Sequence, residues 1–430
     1  MIALALPLAA CGDAPMSITT ATTSESATET NDSGASASST SGASASTSGT
    51  DDAPPDASGE PAGCDAITLA DANLHQAVVD ALGLPSGPIP GDAARTLEVL
   101  ETGFLSLSSL DGLECFTGLR SLRTFEGTYA DLGPLASLHR LDRVALGRAP
   151  IDDLTPLAGL TSLTDLVLID TEVTDVSPLA GLDRLEHLYL AIDPIASLDP
   201  LAGAPSLRVL ELQELPATPS AALLTSFPAL EELRLEALAL TDLDLVAGLT
   251  DLRTLDVSNN PLTDLAPIAG LTGLRELHVD STQVASFTPL AGLTALEVLD
   301  APRTEIADLD GLQGLASLRV LDLSSSALND LTPLAGLTSL EALNVRFNAI
   351  VDVTPLAGLA GLRELHLGSN KITSLAPLAD APMWAQGCAT LVVEDNPLDD
   401  PSITTVIPSI CANNNVYWGA LGDPCEPCPP

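Results

Sequence analysis

The chain has 430 residues and a formal net charge of −42, with 58 acidic and only 16 basic side chains. Nucleic acids and anionic lipids are bound by basic faces, so this balance argues against both as direct partners. No stretch approaches the ~20 consecutive apolar residues of a membrane-spanning helix. The sequence therefore predicts contact with a membrane only through a lipid attached to the chain.

The start of the chain is an apolar run that ends in Leu8-Ala9-Ala10-Cys11. This ending resembles the lipobox of bacterial lipoproteins, in which the cysteine is acylated and becomes the mature N-terminus. The resemblance implies a signal segment over residues 1–11, with Cys11 as the lipidation site. Because the run lacks a basic flank, an ordinary apolar N-terminus with a chance cysteine is the alternative.

Residues 12–63 consist mainly of Ser, Thr, Ala, Gly, Asp and Pro, with almost no large apolar side chain. Such a segment cannot bury enough surface to offset its ordering entropy, so the composition predicts a disordered tether. About fifty residues have a root-mean-square reach of roughly 40 Å, from ~5–6 Å × √n. The tether would hold a following domain clear of a membrane surface.

From Leu113 to Pro377 the chain repeats one pattern twelve times, in eleven units of 22 residues and one of 23. Each unit reads L-x-x-L-x-x-L-x-x-L-x-L and usually closes with D-L-x-P. A unit this short cannot bury its own apolar face, so each must stack on the next. The apolar spacing of two in Leu166-Val167-Leu168 predicts a short strand, and Asp175 before Ser177-Pro178 predicts a capped single helical turn. The predicted fold is an α/β repeat solenoid.

This unit resembles the 22-residue leucine-rich repeats of bacterial internalins, which read L-x-x-L-x-L-x-x-N-x-I and close with D-I-x-P-L. The resemblance covers roughly residues 66–418 and implies a right-handed superhelix, with a parallel β-sheet on the concave side and short 3₁₀ turns on the convex side. The Asn that forms a ladder along such stacks is present only at Asn260, Asn348, Asn370 and Asn396. The other units place Gly127, Ala149, Thr171, Asp193, Leu215, Leu238, Thr282, Thr304 and Ser326 there. We therefore expect the N-terminal half of the stack to be less regular.

A stack exposes its last core layer at each end, and the sequence predicts caps over residues 64–112 and 378–430. The first cap contains a helical pattern over residues 67–82 behind a capping Asp71, which looks like the cap of the same bacterial repeats. The second contains a final strand over residues 391–397, a closing helix over 400–413 and the segment 416–418 beyond it.

Six cysteines cluster in or beside these caps, as expected of an exported chain that uses disulfides as end clips. They are Cys64, Cys115, Cys388, Cys411, Cys425 and Cys428. Six cysteines allow 15 pairings, and the geometry of the caps favours Cys64–Cys115 and Cys388–Cys411. The remaining C-x-x-C pair is a poor zinc site because it lacks a second pair or a nearby His, so a disulfide between them is a weaker prediction.

One unit, Leu201 to Leu223, has the extra residue and replaces its D-L-x-P close with a segment containing Pro216 and Pro219. The two prolines preclude a turn like those of its neighbours, so the sequence predicts a bend or bulge there. A hinge and a tolerated insertion are both open interpretations, and we favour the insertion.

Signals for catalysis are missing from the sequence. Lys371, the one lysine, does not follow a glycine-rich loop, and there is no H-E-x-x-H and no G-x-S-x-G. The histidines are interpreted as solvated or partly packed: His75, His139, His187, His278 and His366. We predict no enzyme activity, no cofactor and no resident metal. Asp300 and Asp322 fall on neighbouring strands, where they either share a Ca²⁺ ion or splay into water, and splaying is the expectation.

The repeat frame also predicts which side chains face outward from the sheet, on a wall of thirteen strands and roughly 60 Å at ~4.8 Å per strand. One column between the strand leucines reads Arg123, Ala145, Val167, Tyr189, Glu211, Arg234, Asp256, His278, Asp300, Asp322, Asn344, His366. The column two residues on reads Phe125, Gly147, Ile169, Ala191, Gln213, Glu236, Ser258, Asp280, Pro302, Ser324, Arg346, Gly368. The first strands are apolar and aromatic, and the later ones are acidic and carry histidines.

From these columns we predict the partner-binding residues. They are Phe125, Val167, Ile169, Tyr189, Glu211, Arg234, Glu236, Asp256, His278, Asp280, Asp300, Asp322, Arg346 and His366. The first four would serve as apolar anchors, and the acidic residues would attract a basic region of the partner. Scattered surface side chains without a partner are the alternative interpretation.

The predicted function is that of a monomeric, non-catalytic module that binds another protein or a surface glycan. It would be an exported lipoprotein of the cell envelope, at the outer membrane or cell surface. The alternative is a passive structural component of the envelope without a specific ligand. An intracellular repeat protein of the phosphatase-regulator type shares the repeat but is disfavoured by the paired cysteines and the tether.

Overall fold

The structure is a computed structural model, and it describes residues 64–386, 389–413 and 416–418. Within them, two short strands, β1 (Ala66–Ile67) and β2 (Ile89–Pro90), pair antiparallel, and fifteen strands form one parallel sheet in chain order. The sheet strands are β3 (Val99–Glu101), β4 (Ser121–Thr124), β5 (Arg143–Gly147), β6 (Asp165–Ile169), β7 (His187–Ala191), β8 (Val209–Gln213), β9 (Glu232–Glu236), β10 (Thr254–Asp256), β11 (Glu276–His278), β12 (Val298–Asp300), β13 (Val320–Asp322), β14 (Ala342–Asn344), β15 (Glu364–His366), β16 (Ala389–Val392) and β17 (Val416–Trp418). The predicted wall of thirteen strands was too short, because β3 and β17 extend it into both segments predicted as caps.

Short helical turns form the opposite wall, and two longer helices lie in the segments predicted as caps. The α-helices are α1 (Ala72–Leu82), α2 (Gly91–Ala94), α3 (Ala221–Leu224) and α4 (Ile407–Asn413), the last directly after a π-helical turn at Ser402–Val406. The 3₁₀ turns are Leu113–Cys115, Gly133–Leu135, Thr155–Leu157, Ser177–Leu179, Asp199–Leu201, Asp244–Val246, Ala266–Gly270, Thr288–Gly292, Thr332–Leu334, Thr354–Leu356, Ala376–Leu378 and Pro382–Gln386. This arrangement confirms the predicted leucine-rich-repeat solenoid.

The repeated leucines form one continuous core between the two walls. In a typical unit Leu157, Leu160, Leu163, Leu166 and Leu168 are fully buried. Each layer packs on the equivalent leucines of the units before and after it, so no unit has a core of its own. Apolar burial is therefore shared along the whole stack.

The convex turns begin as the sequence predicts. Asp175 Oδ1 accepts a hydrogen bond of 2.8 Å from the backbone N–H of Ser177, and Pro178 occupies the first turn. The hydrogen bonds from Ser177 lower the pKa of Asp175. Asp153 and Asp330 repeat the arrangement in other units, so these carboxylates cap turns and are committed to local structure.

One residue per unit, directly after the outward strand residues, adopts the left-handed conformation that redirects the chain out of the sheet. The twelve residues are Arg148, Asp170, Ile192, Glu214, Ala237, Asn259, Ser281, Arg303, Ser325, Phe347, Ser369 and Asp395. None is glycine, although an L-residue in this conformation costs roughly 1–2 kcal/mol. The stack tolerates this strain because the next residue turns inward to the core or the ladder.

The polar ladder is complete only where Asn is present. Asn260 Oδ1 accepts from the N–H groups of Leu238 and Leu240 at 3.0 and 2.9 Å, and its Nδ2 donates to Leu235 O at 2.7 Å. Thr282 makes one such bond, to Val279 O. The expectation of a less regular N-terminal half is wrong for the sheet, because strands β5–β9 are five residues long whereas β10–β15 have three.

The unit with the extra residue leaves the sheet undisturbed. Strands β8 and β9 pair over five residues, from Val209 opposite Glu232 to Gln213 opposite Glu236. On the other wall, Ser220 caps α3 by accepting from Leu223 N at 3.1 Å, and this helix replaces the usual 3₁₀ turn. The extra residue is absorbed away from the sheet, as expected of a tolerated insertion.

A disulfide joins Cys64 to Cys115 across the first cap, which confirms that predicted pairing. Closing a loop over a sequence separation of 51 residues contributes about 4 kcal/mol in the chain-entropy model. Asp71 caps α1 through Leu74 N at 2.7 Å and also accepts from Ser108 N, so it ties the helix to the first sheet turns.

Other sequence predictions fall where the structure gives no account. Cys11, residues 12–63, Cys388, Cys425 and Cys428 lie outside the described residues, and so does the side chain of Cys411. Their lipidation, tether and pairing stay predictions.

Asp193 occupies a ladder position and is 1% exposed. Its Oδ1 accepts from the backbone N–H of Thr171 at 2.8 Å, as Asn260 Oδ1 does from Leu238, but Oδ2 has no partner. Replacing Asp193 by Asn should raise the free energy of unfolding by about 1–3 kcal/mol at neutral pH, because an amide nitrogen in place of Oδ2 could donate to backbone carbonyls as Asn260 Nδ2 does at the equivalent position.

Burial raises the folded-state pKa of Asp193 above its unfolded value. The protonated acid therefore stabilises the wild-type protein at low pH, and this contribution is lost as pH rises through the folded-state pKa. The gain from Asp193→Asn should be smallest in acid and largest at neutral pH in denaturant unfolding curves. Asn260→Asp is the reciprocal control and should destabilise the fold; a destabilised Asp193→Asn protein at neutral pH would contradict the assignment.

Candidate functional site

The outward columns of the sheet are those that the repeat frame predicts. Val167 of β6 lies opposite Ala145 and Tyr189, and the same register continues through Asp300 opposite Asp322 to Asn344 opposite His366. The predicted partner-binding residues therefore share one wall. Neighbouring members of a column are about 4.8 Å apart, the spacing of hydrogen-bonded strands.

Phe125 lies flat against the wall and does not project from it. A Cβ atom on Gly147 of the next strand would be 2.8 Å from the Phe125 ring, so the missing side chain leaves room for that ring. On its other face the Arg123 guanidinium is 4.9 Å from the ring centroid, within cation–π range. This predicted anchor is half-buried.

Tyr189 is held in a fixed orientation on β7. Its hydroxyl donates to Gln213 Oε1 at 2.6 Å, and Val167 and Ile169 are half-buried on the neighbouring strand. Burial, together with the charges of nearby Glu211, raises the pKa of Tyr189 to about 12. The ring is thus a neutral, pre-positioned contact surface, which suits an anchor residue.

Glu211 is the centre of a charge network at the boundary between the apolar and acidic strands. His187 Nε2 lies 2.9 Å and Arg234 Nε 3.6 Å from its carboxylate, and Asp165 is 3.7 Å from the other ring nitrogen of His187. Burial acts to raise the pKa of Glu211, but the hydrogen bond from His187 and the charge of Arg234 lower it. Arg234 also contacts Glu232 at 2.5 Å.

A shallow depression of about 480 Å³ opens beside this network. It is lined by Asp165, Glu186, His187, Arg208, Val209, Glu211, Glu231 and Glu232. Carboxylates outnumber cations in this lining. The depression therefore suits a cationic side chain and not an anion.

The later strands carry carboxylates whose orientations are set by the backbone. Asp256 and Asp322 each accept from the N–H two residues on, at Ser258 and Ser324, over 2.9 and 2.8 Å. Glu236 accepts from Asn259 Nδ2 at 3.0 Å, and burial followed by the charge of Asp256 raises the pKa of Glu236. Burial likewise raises the pKa of Asp280, which is ion-paired with Arg303.

Asp300 and Asp322 do not share a site. Asp300 Oδ2 is 3.3 Å from His278 Nδ1, whereas Asp322 Oδ2 accepts from Asn344 Nδ2 at 2.8 Å on the opposite side. Each carboxylate is thus engaged away from the other. Within the described residues no group of three or more His, Cys, Asp or Glu side chains is arranged to hold a metal ion.

Arg346 is engaged by a residue that the sequence analysis did not place on the wall. Its guanidinium pairs with Glu394, whose carboxylate lies over Gly368 just after the intervening strand β15, where a Cβ atom would clash with it. Arg346 also lies 5.2 Å from the ring centroid of Phe347. Burial lowers the pKa of the neighbouring His366.

Sequence reasoning also missed two groups of outward residues. One is a third column at the start of the strands, which includes Asp165, His187 and Glu232. The other is the set of left-handed residues after the strands, of which Ile192 and Phe347 are 47% and 54% exposed. The repeat alignment alone could have found both, because each group recurs with the period of the units.

Comparison with known proteins identifies the repeat and its architecture. Residues 250–292 match the family model described as Leucine Rich repeats (2 copies). No curated protein matches the sequence. No helix in the described parts of the chain has the length and apolar character needed to cross a bilayer.

Solved structures extend this likeness over most of the chain. An internalin (InlF) of Listeria monocytogenes is 24% identical, with a TM-score of 0.60 over 82% of this chain and 96% of its own. A leucine-rich-repeat protein of Leptospira interrogans is 17% identical, with a TM-score of 0.60 over 76% and 97%. The Drosophila Toll–Spätzle complex contains a chain that is 22% identical, with a TM-score of 0.52 over 72% and 46%. The fold is a leucine-rich-repeat solenoid like those of these proteins.

The wall histidines should titrate differently from one another. The hydrogen bond with Glu211 raises the pKa of His187 above its ordinary value, whereas burial lowers that of His366. In an NMR titration Glu211→Gln should bring the pKa of His187 down and leave that of His278, which pairs with Asp300, unchanged. The stabilisation from protonated His187 is present below the unfolded pKa of ~6.5 and is lost as pH rises through the folded pKa. Equal pKa values for His187 and His366 would contradict the network.

Proposed function

We propose that this protein is an exported surface module whose concave wall binds another protein. The observation that carries the proposal is an apolar strip on β4–β7 beside an acidic strip on β8–β13, both on one rigid sheet. Hydrogen bonds preset the side chains of Tyr189, Asp256 and Asp322. Such preorganisation reduces the entropy lost on binding, which favours binding of a specific partner over non-specific contact.

The size of the wall supports a macromolecular partner. Fifteen strands at ~4.8 Å span roughly 67 Å, which is ample for an interface of about 800 Å² per partner. One of the similar structures, Toll, is itself in complex with a protein, Spätzle. A surface glycan is the less favoured ligand, because the exposed aromatic side chains of the wall are few and separated.

A specific observation also favours the second candidate, a passive envelope component. Several wall charges are already neutralised within the sheet, among them Arg234 by Glu211 and Glu232, and Arg346 by Glu394. This internal pairing would suit a surface that stays free of partners. Internal ion pairing does not account for the apolar side chains on β6 and β7. We therefore prefer the binding role.

We further propose that the module is held at the cell envelope by a lipid on Cys11, with residues 12–63 as a tether. The disulfide between Cys64 and Cys115 supports an oxidising, extracytoplasmic location. An acyl chain contributes ~0.8 kcal/mol per buried CH₂, and a single chain holds a protein only reversibly, so stable anchoring requires at least two chains.

Anchoring is tested by expressing the gene in a bacterial host and labelling with a clickable palmitate analogue. The wild-type protein should carry the label and sediment with membranes, whereas Cys11→Ser should be unlabelled and soluble. Cys64→Ser is the matched control, because it removes a cysteine from the cap and not from the proposed lipid site. An unlabelled wild-type protein whose fractionation does not change on Cys11→Ser would refute the anchor.

Two wall substitutions should affect a confirmed partner differently. Tyr189→Ala removes a central aromatic surface and should weaken binding by about 2 kcal/mol or more, mainly through faster dissociation. Asp322→Ala removes a half-exposed charge and should mainly slow association and reduce its dependence on salt. Surface plasmon resonance at two salt concentrations measures both effects.

The control for these variants lies on the convex wall, where Asp175→Asn keeps the oxygen that caps Ser177 N. This substitution should leave both rate constants unchanged. Loss of binding on Asp175→Asn with no effect of Tyr189→Ala would place the binding face on the other wall.

A further inference from the structure

Ile192 stands out among the twelve left-handed residues that follow the strands. Its φ is +60°, and it is the β-branched member of a series otherwise made of Arg, Asp, Glu, Ala, Asn, Ser and Phe. A β-branched side chain in this region is a genuine conformational outlier, whereas Asn and Asp adopt it readily. Local stability therefore does not explain isoleucine at this position.

Burial does not explain it either. The Ile192 side chain is 47% exposed, although the adjoining Ala191 and Asp193 are almost fully buried. An apolar group that is both strained and exposed contributes little to the core. Strain of this kind tends to persist where a surface is used for binding.

Ile192 extends the apolar strip to the rim of the wall. It directly follows β7, which carries Tyr189, and the adjacent strand β6 carries the half-buried Ile169. These three side chains can form one contact area for an apolar group, since paired strands are ~4.8 Å apart.

The surroundings of this contact area are acidic. Asp170 and Glu214 occupy the equivalent left-handed positions on the two neighbouring units, and both are exposed. Glu211 and Glu236 lie on the next strands, and the acid-lined depression around His187 opens at the start of β6–β9. An apolar group placed over Ile192 therefore meets carboxylates on either side.

We propose that Ile192, Ile169 and Tyr189 receive an apolar side chain from a linear protein segment in which that residue is flanked by Lys or Arg. The inference rests on the proposed binding role of the wall and adds the chemistry of the partner. Charge complementarity favours this occupant over an acidic or wholly apolar segment. Adjacent extended residues alternate in direction at ~3.3 Å each, so the basic residues fall within about one to three positions of the anchor.

The test is selection of random 16-residue peptides displayed on phage against the full chain. Enriched peptides should contain an aliphatic or aromatic residue with Lys or Arg within three positions. Ile192→Asn should weaken the best synthetic peptide at least tenfold while the melting temperature stays the same or rises, since Asn suits the left-handed conformation. Phe347→Asn is the matched control, because it makes the same change at the other exposed apolar member of the series and should leave affinity unchanged.

The contribution of charge is tested with the double variant Asp170→Asn and Glu214→Gln. This variant should bind the peptide more weakly, and its affinity should depend less on salt. Enrichment of acidic peptides, absence of enriched peptides, or unchanged affinity in Ile192→Asn would each overturn the inference. A folded partner that is lost on Tyr189→Ala but unaffected by Ile192→Asn would overturn it as well, while leaving the proposed function of the wall intact.

Discussion

The structure depends on one constraint: each unit of about 22 residues must lend its leucines to a core that belongs to its neighbours. Leu166 and Leu168 of one strand have no layer to pack on except the equivalent residues of the adjacent units, and both are fully buried. The core therefore dictates the inward positions and the register of the sheet, and it places no demand on the outward positions. This freedom lets the wall change from apolar to acidic between β7 and β8 without any change in the strand pairing.

The same constraint explains which features could be predicted from the sequence. A fixed period with parallel pairing makes the strand register predictable, so the column that contains Tyr189 and Asp322 was placed correctly. The Cys64–Cys115 pairing was predictable because the two cysteines are in the first cap and directly beside it. The extra residue near Pro216 was expected to bend or bulge the solenoid, but the sheet register is unchanged because strand pairing is independent of the length of the opposite wall.

Features that depend on contacts between units were beyond sequence reasoning. Glu394 reaches Arg346 only because Gly368 follows the strand between them, and Phe125 lies flat only because Gly147 gives it room. The frame marks each of these residues as outward but does not say which outward side chains fill space above their neighbours. Several predicted contact residues consequently have intramolecular partners, and the surface left for binding is smaller than the predicted set.

The placement of charge further reduces the surface that is available for binding. At the starts of the strands, arginines pair with acids one unit away, as in Arg120–Asp142 at 2.6 Å and Arg208–Glu231 at 2.7 Å. Such exposed pairs add little stability, but they offset part of the acidic charge at this edge of the wall. At the opposite edge, where the chain leaves the sheet, Asp170 and Glu214 have no arginine of their own within salt-bridge distance among the described residues, and Ile192 stands between them. Acidic charge therefore coincides with the exposed apolar side chain, so attraction of a cationic segment and its apolar contact would act at the same place.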